Sequence, residues 1–102
     1  MQRIGFTMRL KPGNEEEYRQ RHDDIWPELV DLLRAKGLKN YTIFRSGLDL
    51  FGYVETDNPM AMLELPQEEL MQKWWTYMEP LMECNEDSSP KINLLEEAFH
   101  MD

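Results

Sequence analysis

The sequence predicts an α+β fold, a ferredoxin-like βαββαβ domain whose two main helices cover one face of a four-stranded antiparallel sheet. Three observations carry that expectation. Apolar and polar residues alternate with period two near the N-terminus, a long stretch then repeats its apolar positions at steps of three and four, and two β-rich runs follow, joined by a Gly-containing turn.

From Arg3 to Leu10, the residues Ile4, Phe6, Met8 and Leu10 alternate with Arg3, Gly5, Thr7 and Arg9, the pattern of a strand with one buried face. Lys11-Pro12-Gly13 reads as a turn, and Asn14 with Glu17 three residues later has the form of a capping box. The helix that follows should run to about Lys36, with Tyr18, His22, Ile25, Trp26, Leu29, Leu32 and Leu33 as its stripe toward the sheet. Pro27 lacks an N–H and crowds the carbonyl of Asp23, so a kink or a restart after Ile25 is expected. Gly37 suits the left-handed position that ends a helix.

The runs Asn40 to Arg45 and Leu50 to Glu55 read as antiparallel strands, with Ser46-Gly47-Leu48-Asp49 as the hairpin between them. Asn58-Pro59 marks the start of a short helix, Pro66 punctuates the chain, and Gln67 to about Met82 is the second main helix. Asn85 to Pro90 is a polar loop, and Asn93 to Met101 alternates as a closing strand.

Composition limits the function classes. At 102 residues, 41 % hydrophobic and 30 % charged, the chain is expected to be one domain over residues 1–102, and no apolar run approaches the roughly 20 residues that span a bilayer. The N-terminus enters a strand pattern without a signal-like apolar stretch, so a cytoplasmic protein without a membrane partner is expected. The single cysteine, Cys84, has no second cysteine for a disulfide, redox or zinc motif. A net charge of −9 with scattered basic residues would repel nucleic acid, and it favours a neutral small molecule over an anionic one. No dinucleotide fingerprint, Gly-rich phosphate loop or nucleophile elbow is present, and His22-Asp23-Asp24 and Glu15-Glu16-Glu17 lack metal spacing, so no cofactor or metal is expected.

The most informative pair is Tyr18 and His22. On a helix, residues four apart share a face, so a phenol and an imidazole point together toward the sheet. Histidine gives and takes protons near neutral pH, although a single inward histidine is more often structural. Trp74 and Trp75 diverge by about 100° around their helix, so one should pack while the other can line a pocket. An indole face suits the C–H face of a sugar, and its N–H can reach a hydroxyl. Tyr41 would place a further hydroxyl on the sheet face, with Ile43 beside it and Thr42 and Phe44 opposite. For each of these aromatic residues, simple packing is the competing reading.

The strings Glu17-Tyr18-Arg19-Gln20-Arg21-His22, Ile25-Trp26-Pro27-Glu28-Leu29, Asn40-Tyr41-Thr42-Ile43-Phe44, Lys73-Trp74-Trp75-Thr76-Tyr77-Met78 and Glu97-Ala98-Phe99-His100-Met101 resemble the L-rhamnose mutarotase family, in order and over essentially the whole chain. The resemblance implies a cytoplasmic homodimer of the dimeric α+β barrel type that interconverts the α and β anomers of L-rhamnopyranose. By position, His22 matches the family's proton donor, and Tyr18, Tyr41, Trp74 and Trp75 match its substrate-binding residues. The stretch from Asp57 to Glu69 departs from the family pattern, which bears on sugar preference.

A homodimer is expected on physical grounds as well. Helices on one face leave the other bare, and exposed apolar area, whether the set Ile4, Phe6, Met8 and Leu10 or the smaller set opposite, is unfavourable by roughly 25 cal/mol per Å². Three rivals stay open: a mutarotase for another neutral 6-deoxy sugar, a sugar-binding module without catalysis, and a small monooxygenase or haem-degrading enzyme on the same architecture.

Overall fold

Alternation in the first strand sorts its side chains by face, and the computed structural model of residues 1–102 shows which face is which. Phe6 and Met8 of β1 (Gln2–Arg9), with Leu10 just beyond it, are buried in one core with Tyr18 and Leu29 from the first helical layer and Met71, Trp74 and Met78 from the second. The apolar set of β1 therefore faces the helices, and the smaller set, Gly5 and Thr7, lies on the bare side. Leu10, Leu29, Leu50 and Val54 lose essentially all contact with solvent, each contributing roughly 1.5–3 kcal/mol of burial.

Pro27 does what its chemistry requires. The expected long helix is two helices, α1 (Glu15–Asp23) and α2 (Pro27–Ala35), with Pro27 in the first turn of the second. Trp26, the residue before the proline, is extended at φ −63° and ψ 126°, and its carbonyl accepts from Leu29 N (3.0 Å) and Val30 N (3.2 Å), which starts the second helix. Gly37 takes the left-handed conformation at φ +87°. The expected capping box does not form. Asn14 instead donates its side-chain amide to the Lys11 carbonyl at 3.1 Å, and Glu17 reaches forward to Arg21, so neither side chain caps the helix.

β2 (Leu38–Ser46) and β3 (Asp49–Thr56) pair through a two-residue turn, Gly47-Leu48, in which Gly47 alone has positive φ, +61°. Positive φ at the first central position matches a type II′ hairpin. Between Lys39 and Thr42 the register slips, so that Asn40 and Tyr41 together oppose Val54, and Asn40 adopts φ +52°. This is a bulge of one extra residue. Leu38 points to the helices; unbroken alternation would then send Tyr41 outward, and the extra residue turns both Tyr41 and Ile43 inward. Asn40 is held in its unusual conformation by its amide on Glu55 Oε1 (2.8 Å) and by the Thr42 hydroxyl on its carbonyl (3.1 Å).

α3 (Met60–Glu64) runs into a 3₁₀ turn containing Pro66. α4 (Glu69–Met78) is shorter than expected, because Pro80 has no N–H for the next helical bond and the chain tightens into a 3₁₀ turn over Glu79–Leu81. The closing strand is also shorter: β4 (Asn93–Leu95) pairs with β1 only over Gly5, Phe6 and Thr7. Beyond it the chain stays beside β1 far enough for Glu97 to meet Arg3 at 2.8 Å, but as an ion pair and not a ladder.

The sheet order is β2-β3-β1-β4, all antiparallel, with the helices on one side. On the bare side, register places Phe44, Phe51, Thr7 and Asn93 in one row and Thr42, Tyr53, Gly5 and Leu95 in the next. Phe44 is 64 % exposed, Phe51 41 % and Leu95 47 %, an apolar band that the chain does not cover by itself.

Candidate active site

One turn of α1 separates Tyr18 from His22, and the fold brings their rings together with centroids 4.3 Å apart and planes tilted by 36°. His22 Nδ1 lies 3.1 Å from the Tyr18 carbonyl oxygen. A carbonyl can only accept, so Nδ1 carries the hydrogen and donates it, which leaves Nε2 as the ring nitrogen free to exchange a proton. Because α1 ends at Asp23, this imidazole sits in the last turn of its helix.

Burial lowers the pKa of His22, against the opposing pulls of the Tyr18 carbonyl bond and the Asp23 charge. The Tyr18 phenol is raised by burial and, secondarily, by the neighbouring Tyr41 phenol. Burial alone pushes Tyr41 to about 12. Tyr41 as a residue remains 39 % exposed. Both phenols are neutral donors at ordinary pH.

Trp74 from α4 closes the far side of the imidazole, at 5.5 Å and perpendicular to it. Behind Trp74 stand Trp26, at 5.0 Å and edge to face, and Tyr77 at 5.8 Å. Arg21, the residue before His22, lays its guanidinium 4.1 Å from the Tyr77 ring centroid and donates to the Tyr77 carbonyl, tying α1 to the end of α4. Tyr41 enters from the sheet and meets the edge of Phe6, at 6.0 Å and 83°.

Tyr18, His22, Tyr41 and Trp74 thus converge between the helices and the inner face of β2. Trp75 stands apart on the adjoining side of α4, half-buried against the core and outside these ring pairs. Arg21, Trp26 and Tyr77 were not anticipated as parts of the site. Tyr77 was within reach of sequence reasoning, being one turn from Trp74. Trp26 was not, because the helix break sets its direction. A hollow of about 430 Å³ beside Arg9, Asp49, Phe51, Glu83 and Lys91 lies away from the imidazole, on the other side of the sheet. No group of three or more His, Cys, Asp and Glu side chains is arranged so that it could hold a metal ion.

A ferredoxin-like sheet with a desolvated imidazole walled by aromatic rings places this chain among small α+β proteins of the dimeric α+β barrel type. The family model for L-rhamnose mutarotase matches residues 3–101. The L-rhamnose mutarotase of Flavobacterium johnsoniae is 46 % identical over 98 % of this chain and 95 % of its own length, and that of Listeria monocytogenes 42 % identical over 99 % of each. The crystal structure of L-rhamnose mutarotase from Formosa agariphila superposes with a TM-score of 0.92 at 36 % identity, covering all of both chains. Tetracenomycin F2 cyclase from Streptomyces glaucescens, at TM-score 0.69 and 17 % identity over 100 % of this chain and 98 % of that one, shares the fold alone. The chain belongs to the L-rhamnose mutarotase family.

Proposed function

We propose that the protein is an isomerase of the aldose 1-epimerase type that interconverts the α and β anomers of L-rhamnopyranose, acting as a cytoplasmic homodimer. The observation that carries the chemistry is the His22 Nδ1 bond to the Tyr18 carbonyl, which fixes the tautomer and leaves Nε2 to handle the proton. Family membership over nearly the full chain supplies the sugar.

Opening the ring breaks the bond between the anomeric carbon and the ring oxygen. A proton must arrive at the ring oxygen while one leaves the anomeric hydroxyl. His22, charged at Nε2, gives its proton to the ring oxygen, and a second acceptor takes the hydroxyl proton. The open-chain aldehyde turns about its first carbon–carbon bond. Closure on the opposite face returns both protons, so the cycle balances without a cofactor. A lowered pKa makes the imidazolium a stronger acid, which helps it protonate a weakly basic ether oxygen. Tyr18 and Tyr41, kept neutral by burial, orient sugar hydroxyls as donors. Trp74, buried against the imidazole, backs the site, and the substrate-binding roles of Trp74 and Trp75 rest on the family resemblance.

The homodimer is supported by the exposed Phe44, Phe51 and Leu95 on the helix-free face, which a second copy would cover. The test of the catalytic assignment is anomer exchange of L-rhamnose by His22→Gln. Loss of acceleration with the fold intact supports it, and an unchanged rate overturns it.

A further inference from the structure

Gly52 faces the site from the middle of β3, directly opposite Phe6 and Ile43 on the neighbouring strands. Its lack of a side chain is used in full. A Cβ built there would lie 2.3 Å from Phe6 Cζ and 2.5 and 2.8 Å from the two Cε atoms, so the buried Phe6 ring lies on the Gly52 backbone. The same ring supports Tyr41 edge to face, with centroids 6.0 Å apart. The contacts run from Gly52 through Phe6 to Tyr41.

We infer that Gly52 is a positioning residue for the sugar: the bare backbone leaves room for the end of the Phe6 ring, and Phe6 sets the depth and tilt at which Tyr41 presents its hydroxyl to the substrate. This rests on the reading of Tyr41 as a substrate-binding residue. Ordinary carbon–carbon contact is about 3.5 Å, so a methyl group at Gly52 forces the Phe6 ring off the sheet by about an ångström. Phe6 is enclosed by the core on its other sides and interiors are close-packed, so the displacement is passed to the Tyr41 ring. Tyr41 is held at a bulge and keeps part of its surface open, so it is the neighbour able to yield. The bulge at Asn40 turns Tyr41 inward, and Gly52 fixes how far it reaches.

The test is anomer exchange of L-rhamnose measured as a function of sugar concentration for wild type, Gly52→Ala, Phe6→Leu and Gly52→Ala/Phe6→Leu. Gly52→Ala is expected to raise KM about tenfold, the equivalent of one well-placed neutral hydrogen bond, while kcat stays within about twofold. The smaller Leu side chain relieves the contact, so the double variant should return to the KM of Phe6→Leu alone. A folded Gly52→Ala with unchanged KM overturns the inference. Should Gly52→Ala not fold, Phe6→Leu and Tyr41→Phe decide: each raising KM, with the pair no worse than Tyr41→Phe alone, supports the relay, and independent effects that multiply overturn it. Wild-type protein that accelerates no exchange overturns the functional reading itself, an outcome distinct from a normal wild type beside an unaffected Gly52→Ala.

Discussion

The Nδ1 of His22 and the carbonyl oxygen of Tyr18 are 3.1 Å apart, so the residue that contributes a phenol to the site also orients the imidazole through its backbone. One turn of α1 thereby fixes two functions at once. The side chain of Tyr18 packs beside the imidazole, and its main chain decides which nitrogen of His22 is free. Replacing His22 by Gln keeps a polar side chain of similar reach but removes the proton carrier. Anomer exchange is predicted to fall by about 10²–10⁴, the usual contribution of a general acid or base, with an unchanged far-UV circular dichroism spectrum.

The lowered pKa of His22 predicts where activity and stability depend on pH. Donation from Nε2 needs the charged imidazole, so kcat/KM should decline on the alkaline side of an inflection that lies below the ordinary value of about 6.5. A decline only on the acid side would make His22 the base instead. For stability the sign is the reverse of an ion-paired histidine. The unfolded chain takes up the proton first as pH falls, so the stability contributed by neutral His22 is complete above about 6.5 and is lost as pH falls through the folded value. Denaturant unfolding of wild type and His22→Gln between pH 5 and 8 should show a shallower slope for the variant just below about 6.5, where only the unfolded chain has taken up the proton.

Trp74 is fully enclosed by His22, Trp26 and Tyr77, whereas Trp75 is half-buried at the edge of the core. Truncation of Trp74 to Ala should therefore cost about 3–5 kcal/mol of stability, read by urea unfolding, and Trp75→Ala clearly less. Equal losses would contradict the packing described for α4.

The apolar band on the helix-free face predicts a dimer that a single charge can split. Phe51 lies at the centre of that face, between Phe44 and Thr7. Burying an unpaired guanidinium there is strongly unfavourable, so Phe51→Arg should sediment as a monomer at micromolar concentration while wild type sediments as a dimer. Monomeric wild type would overturn the dimer reading.

What the sequence discloses about this protein is mostly its periodicity and its punctuation. The alternation of β1, the restart of the helix at Pro27, the left-handed Gly37 and the hairpin at Ser46-Gly47-Leu48-Asp49 each follow from a local rule, and the shared face of Tyr18 and His22 follows from helical spacing. Alternation groups Tyr41 with Ile43 against Thr42 and Phe44, but which pair faces the helices depends on Leu38 being part of the strand and on one extra residue that Asn40 accommodates at positive φ. No local pattern announces that insertion. The meeting of Arg21 with Tyr77, and of Trp26 with Trp74, joins segments about fifty residues apart and is set by packing. The closing strand looked long because its alternation continues to Met101, yet the ladder ends at Leu95, and the chain supplies Glu97 only as a partner for the Arg3 side chain.

Saturation-transfer NMR of L-rhamnose, with and without catalytic amounts of the protein and beside L-fucose and D-glucose, addresses the proposed activity most directly. The predicted result is faster exchange between the two anomers for L-rhamnose, with smaller or no acceleration for the other sugars. Exchange at the uncatalysed rate with every sugar would contradict it.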